Sequence, residues 1–238
     1  KAKTCLCGAD IVLPYPSAGA TENSILAAVL AKGRTTIVNA ATEPEIIDMI
    51  KMLQNMGAII ELGANRTVYI DGVERLHGVE HRLIPDRLEA VSFAVMALAT
   101  NGDILVKDAV QEHLIAFLNA CRRMGAKYVV EPEDGIRFYR NGELKAANIE
   151  TDTYPGFATD WQQPTAVLLT QARGTSVIHE TVYEDRFGYT EDLNKMGAKI
   201  NVETKCLGIL PCRFQGKNYK HSAVIQGPTP LKAADISM

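Results

Sequence analysis

The chain has 238 residues, 47% of them apolar and 22% charged, with a formal net charge of −3. This is the composition of an ordinary globular protein of one or two domains, and its slight acidity gives nucleic acid no electrostatic reason to bind. No apolar run approaches the roughly 18 residues that suggest a membrane span, and the stretch from Lys1 to Cys7 lacks the apolar core of a signal peptide.

The first predicted element is a short strand at Ile11-Val12-Leu13. The turn Ser17-Ala18-Gly19 follows, then a helix of small apolar residues from Asn23 to Lys32. That helix is apolar on almost every face, so burial all round is expected. A strand comes next, from Thr35 to Ala40. The second helix, Glu45 to Met56, differs in kind. Ile46, Ile50 and Leu53 fall on one stripe, with Asp48, Lys51 and Gln54 elsewhere, which predicts an outer amphipathic helix. It ends in Met56-Gly57, where glycine suits the left-handed position after a helix.

The order then repeats. Arg82-Leu83-Ile84 predicts a strand, Leu88 to Thr100 a buried helix and Asp103 to Lys107 a strand. Leu114, Leu118 and Cys121 mark a second outer helix, and residues 127–141 a hairpin turning at Glu133-Asp134-Gly135. A third copy places a helix over Pro164 to Arg173 and a strand over Thr175 to Thr181. Met-Gly-Ala recurs at 56–58, 124–126 and 196–198, and Gly33, Gly102 and Gly174 keep the same beat of roughly 70 residues. The chain therefore reads as three βαβαββ copies plus the start of a fourth. Right-handed crossovers make each copy a compact wedge. One wedge cannot cover its own apolar helix, so several must pack with those helices inside.

Three polar turns lead into the buried helices: Ser17-Ala18-Gly19, Asp86-Arg87 and Thr159-Asp160. Helix N-termini carry unpaired N–H groups and partial positive charge, so such turns can bind an anion. They also read as plain caps. Asp86-x-x-Glu89, Asp160-x-x-Gln163 and Thr42-x-x-Glu45 all have capping-box spacing. Arg186 reads as a solvated surface arginine, and His113 and His179 as structural. The five cysteines, Cys5, Cys7, Cys121, Cys206 and Cys212, form no Cys-x-x-Cys pair and have no histidine at ligand spacing. They are read as reduced thiols with no metal site; Cys5 and Cys7 point the same way on a strand but lack further ligands. Walker, Gly-x-Gly-x-x-Gly, His-Glu-x-x-His and Gly-x-Ser-x-Gly motifs are absent. Spacing alone thus gives a three-repeat α/β protein whose helix starts read as caps and, as the alternative, could hold an anion.

Four segments in the repeat phase carry a resemblance: GATENSILAAVLAKGRTTIVNAATEPEII (19–47), GVERLHGVEHRLIPDRLEA (72–90), YPGFATDWQQP (154–164) and HETVYEDRFGYT (179–190). Together they are similar to the UDP-N-acetylglucosamine enolpyruvyl transferases along essentially the whole chain. The shikimate-3-phosphate transferases share the repeat but not these strings. The resemblance implies an inside-out α/β barrel of repeated βαβαββ units with their helices inside, in two domains with the active site between them. It implies transfer of the enolpyruvyl group of phosphoenolpyruvate to the 3-hydroxyl of UDP-N-acetylglucosamine with release of phosphate. That is the first committed step of peptidoglycan synthesis, in the cytoplasm, and it uses no cofactor. Carried over by position, Ser17, Ala18 and Gly19 would hold the diphosphate. Arg87 would line the nucleotide side, and Val182 would touch the sugar nucleotide through its backbone. Arg186 and Glu43 would line the cleft. Asp160 would meet the sugar hydroxyl as general base, a role worth roughly 10²–10⁴-fold.

The chain departs from the family by being short. The family's N-terminal Lys-Asn motif and the mobile loop with its Cys or Asp general acid have no counterpart here, and Ser237-Met238 falls where an Asp-Leu-Arg motif should begin. Residues 1–84 are therefore expected to be the last repeat of a first domain. Residues 85–238 are expected to be two repeats and the start of a third of a second domain. N- and C-terminal parts of the same polypeptide are the expected partners. The piece is expected to be inactive alone and to expose apolar faces. A non-catalytic UDP-sugar-binding relative is the competing reading, and Asp160 argues against it, because a sensor needs no base. An RNA-binding module is disfavoured by the acidic charge and the lack of a basic, aromatic-interleaved stripe.

Overall fold

The computed structural model describes residues 5–236; the sequence readings on residues 1–4 and 237–238 lie outside them. The chain divides into two compact units, the first ending at Ile84 and the second starting at Pro85.

The first unit runs β1 (Asp10–Val12), α1 (Ala18–Ala28), β2 (Arg34–Val38), α2 (Pro44–Asn55), β3 (Ile59–Gly63) and β4 (Thr67–Asp71). Its sheet has the order β1-β2-β4-β3, with β1 parallel to β2 and β4 antiparallel to both its neighbours. Alternation along β4 buries Val68 and Ile70, which meet Ile46, Ile50 and Leu53 of α2 and Ile25 and Ala28 of α1 in one core. The outer-helix stripe of α2 is as the periodicity predicts, with one exception. Asp48 is also buried, because the chain after β4 crosses it and brings His81 Nε2 to 3.1 Å from its Oδ2.

The second unit contains two further copies. The first is α3 (Arg87–Ala99), β5 (Asp103–Lys107), α4 (Ile115–Met124), β6 (Lys127–Glu131) and β7 (Gly135–Tyr139). The next is β8 (Asn148–Glu150), α5 (Gln162–Leu169), β9 (Gly174–His179), α6 (Tyr189–Lys195), β10 (Lys199–Glu203) and β11 (Ser222–Gly227). The sheet β8-β9-β11-β10 repeats the pairing scheme of the first unit. The sheet β5-β7-β6 has one strand fewer. The strand expected at Arg82-Leu83-Ile84 does not form; Pro85, directly after it, has no N–H to offer a ladder.

Helices α3 and α5 pack on each other, and Val91, Ala94 and Leu98 share a core with Leu168 and Leu169. Each outer helix is followed by a glycine with positive φ: 98° at Gly57, 75° at Gly125 and 100° at Gly197. Burial of the apolar helices all round is corrected. Leu26 of α1 and Phe93 and Met96 of α3 are about half exposed, since nothing in their own unit covers those faces.

Candidate functional site

In the first unit, Ser17 is the N-cap of α1, and its Oγ accepts the Ala20 N–H at 3.3 Å. Ala18 and Gly19 form the first turn, and the space beside Gly19 is open: a Cβ there would meet no atom within 4 Å. Thr21 fixes this turn. Its Oγ1 donates to the Ser17 carbonyl at 2.8 Å and accepts the Ala41 N–H at 2.9 Å, tying α1 to the loop before α2. Glu43 occupies the N-cap position of α2 and makes no side-chain cap bond. The capping box expected from Thr42 does not form. Pro44 takes the first helical position, which moves the boundary one residue on, and Thr42 Oγ1 instead accepts from Arg66 at 3.0 Å.

In the second unit, Asp86 caps α3 as its spacing predicts, accepting the N–H groups of Leu88 at 2.7 Å and Glu89 at 3.2 Å. Arg87 follows it, buried, with its guanidinium 5.2 Å from the ring centre of Trp161 and 5.8 Å from that of Tyr154. Asp160 does not cap. It lies in a 3₁₀ turn, Thr159–Trp161, ahead of α5, and Arg186 Nη2 binds its Oδ1. Arg186 also donates from Nη1 to Thr159 Oγ1 at 3.2 Å and lies over the Tyr183 ring at 5.1 Å. Its expected role as a solvated surface arginine is therefore corrected. Asp185, at φ 51°, turns the chain so that Arg186 points back to the 3₁₀ turn.

The group that organises this region is Glu180, which sequence reasoning missed. Fully buried after β9, it accepts from Thr151 Oγ1 at 2.7 Å and Val182 N–H at 2.8 Å through Oε1, and from Thr159 Oγ1 at 2.8 Å through Oε2. The Tyr183 N–H at 3.0 Å and Gln162 Nε2 at 3.1 Å complete the set. A buried carboxylate is tolerable only when saturated with donors in this way. The available signal was Glu180 at the end of an apolar strand, followed directly by Thr181 and Val182. Since the Val182 N–H is spent on Glu180, the carbonyl is the backbone group Val182 has left for a ligand. Tyr189 donates to Gln162 Oε1 at 2.7 Å, and burial, reinforced by the Glu180 charge, pushes its phenol well above the ordinary range. Asp160, Arg186, Arg87 and Val182 thus gather at the adjoining starts of α3 and α5. The Asp160 side chain is 46% exposed and has one oxygen engaged, which suits it to meet a hydroxyl from solution.

The cysteines are free thiols, as expected, but a second constellation was not legible in their spacing. The fold brings His179, Cys206, Cys212 and His221 together, with their candidate ligand atoms all within 4.8 Å of one another. No short spacing announces it, because β9 supplies one ligand and the connection between β10 and β11 the other three. Burial pushes the Cys121 thiol, on α4, up to about 12.

The repeated βαβαββ units, with polar groups gathered where their inner helices start, define the enolpyruvyl transferase class of α/β proteins. The sequence model of EPSP synthase (3-phosphoshikimate 1-carboxyvinyltransferase) matches residues 2–226, and the chain belongs to that family. Within it, the chain is 50% identical over 230 residues to the UDP-N-acetylglucosamine 1-carboxyvinyltransferase of Protochlamydia amoebophila, covering 96% of this chain and 49% of the relative. It is 51% identical over 232 residues to the enzyme of the same name from Chlamydia muridarum, covering 97% of this chain and 52% of the relative. The chain therefore spans about half the length of the curated relatives it matches. The enolpyruvyl transferase NikO from Streptomyces tendae shares the fold, with a TM-score of 0.79 at 24% identity over 96% of this chain and 53% of its own. Among the described residues, no helix is long and apolar enough to cross a membrane.

Proposed function

We propose that this chain is one half of a cytoplasmic UDP-N-acetylglucosamine 1-carboxyvinyltransferase. Residues 1–84 would then be the last repeat of its first domain, and residues 85–238 the opening of its second. The observation that carries the reading is half-identity along nearly the whole chain to enzymes of that name. The pair of Asp160 and Arg186, set on the Glu180 network, supports it at the level of chemistry.

In this reading the Ser17-Ala18-Gly19 turn binds the diphosphate through the start of α1, where open space beside Gly19 lets a ligand approach the backbone. Arg87 and the Val182 carbonyl line the nucleotide sugar, and Glu43 lines the cleft. Asp160 takes the proton of the sugar 3-hydroxyl as its oxygen adds to C2 of phosphoenolpyruvate, and C3 gains a proton from an acid outside these residues. The tetrahedral ketal then loses phosphate from C2 and a proton from C3, restoring the double bond. Arg186 fixes the carboxylate and adds positive charge near the reacting phosphate.

Calorimetric titration with UDP-N-acetylglucosamine, with UDP-glucose as control, tests the sugar half. Saturable binding of the first, weakened by Asp160→Ala, is expected; equal binding of both sugars, unaffected by the substitution, counts against it. Phosphate release from phosphoenolpyruvate by the full polypeptide that carries this chain tests the reaction. Its absence in the presence of UDP-N-acetylglucosamine would overturn the assignment.

A further inference from the structure

The hairpins of the three copies differ in one respect. β3 joins β4 through residues 64–66 and β6 joins β7 through residues 132–134, both single tight turns. β10 joins β11 through residues 204–221, without a helix or strand. A connection of that length inside a compact unit needs something to order it. It has little apolar means to do so. Phe214 is its one buried large apolar side chain and lies outside the main cluster of the unit, while Ile209 is 94% exposed. What the connection does contain is Cys206, Cys212 and His221, and these converge with His179 from the end of β9.

We propose that these four residues form a structural zinc site of the Cys₂His₂ type. Both histidines are held in the tautomer a metal requires. His221 Nδ1 faces the Tyr219 carbonyl at 2.7 Å, and a carbonyl can only accept, so Nδ1 carries a proton and the neutral ring offers its lone pair at Nε2. That Nε2 lies 3.3 Å from Cys206 Sγ. His179 Nδ1 faces the Glu150 carboxylate at 3.2 Å, which fixes the same tautomer. His179 is fully buried, and its Nε2 has no hydrogen-bond partner. A carboxylate or carbonyl behind each imidazole is the arrangement that orients histidine ligands on zinc. Cys212 Sγ accepts the Phe214 N–H at 3.4 Å, the kind of amide contact that stabilises a thiolate.

The spacing also fits. Zinc–sulfur bonds of about 2.3 Å and zinc–nitrogen bonds of about 2.0–2.1 Å in a tetrahedron put ligand atoms roughly 3.3–3.8 Å apart. The observed 3.3 Å contact and the 4.8 Å bound on the whole set need only a small contraction. Glu150 serves the loop as well as the ring, since its Oε2 accepts the N–H groups of Ile209 at 2.8 Å and Leu210 at 2.9 Å. A Cβ on Gly208 would collide with Glu150 Oε2 and His179 Nδ1, so only glycine lets the loop close over them.

Four protein ligands fill a tetrahedral zinc, so the site is closed to substrate and its role is to order the chain. On binding, each thiol gives up its proton to solvent as its sulfur–zinc bond forms. The consequence reaches the first site. His179 directly precedes Glu180, whose N–H donates to the His221 carbonyl at 2.8 Å. The metal would thus pin the strand end that carries the Glu180 network.

Untagged chain purified with zinc and then desalted tests the proposal by elemental analysis. One zinc per chain is expected in the native protein and in Cys5→Ser/Cys7→Ser, and none in Cys206→Ser/Cys212→Ser. Cobalt in its place should give the intense visible bands of a tetrahedral thiolate site. If the latter variant fails to fold, thiol labelling of the native protein decides. Cys5 and Cys7 should react with or without a strong chelator, and Cys206 and Cys212 only after it. Absence of zinc, retention of zinc by Cys206→Ser/Cys212→Ser, or a Cys206–Cys212 disulfide in freshly isolated protein would each overturn the proposal.

Discussion

Asp86 and Asp160 hold the same place in successive copies, ahead of an inner helix and three residues before a Glu or Gln, yet they do opposite things. Asp86 has an extended backbone (ψ 110°), so its carboxylate folds back over the first turn of α3 and consumes two N–H groups. Asp160 sits within a 3₁₀ turn whose extended flanking residue is Ala158 (ψ 138°), which has no side chain to cap with. The carboxylate of Asp160 is left pointing outward, where Arg186 meets it. One copy spends its aspartate on a helix cap, and in the next the aspartate leaves the helix uncapped and pairs with Arg186. The same spacing can therefore encode a cap or an ion-pair partner, and the backbone at the aspartate decides between them.

The sharpest way to break this contrast is Asp160→Asn in the full polypeptide. Activity should fall by roughly 10²–10⁴-fold if the carboxylate is the base. Stability should change by less than about 1 kcal/mol, because the lost ion pair is partly solvated. A phosphate-release assay and a urea melt on the same preparation separate the two effects. Glu180→Ala should do the reverse. Losing the acceptor orphans several buried donors at about 1–3 kcal/mol each, so destabilisation on the order of 3–5 kcal/mol is expected by urea unfolding. A loss below about 1 kcal/mol would mean that Glu180 does not organise the region. Arg186→Lys keeps the charge but loses the fork that grips both Asp160 and Thr159. Its activity should lie between that of the native protein and Asp160→Asn, with the unfolding midpoint almost unmoved.

The repeat was legible because it is written in local signals: glycine after each outer helix, apolar stripes, tight hairpin turns. The stripe Ile46, Ile50 and Leu53 and the turn at Glu133-Asp134-Gly135 needed nothing beyond their own neighbours. What could not be read depends on distant partners. Arg186 looks like any surface arginine until residue 160 arrives beside it. Glu180 is acceptable in a core only because Thr151, Thr159 and Gln162 converge on it. The thiol–imidazole cluster escaped for the same reason, with His179 at the end of β9 and Cys206 in the connection that follows β10. The exposed faces of α1 and α3 failed in the opposite sense, since helix composition reports what a face can bury and not whether a neighbour is there to bury it.

The smallest effect belongs to Asp86, and it tests the contrast from its structural side. Replacing an N-cap aspartate with alanine costs about 1 kcal/mol, from two N–H groups losing their acceptor and a negative charge leaving the positive end of the helix. Asp86→Ala should therefore lower the urea midpoint and leave the affinity for UDP-N-acetylglucosamine as it was. Asp86→Asn or Asp86→Ser, which can still cap, should recover most of the loss. Asp160 and Asp86 share no hydrogen-bond partner among those described, so the stability losses of Asp86→Ala and Asp160→Asn should add within about 0.5 kcal/mol. Coupling well beyond that would show the two helix starts acting as one device, and the division of labour between the two aspartates would have to be abandoned.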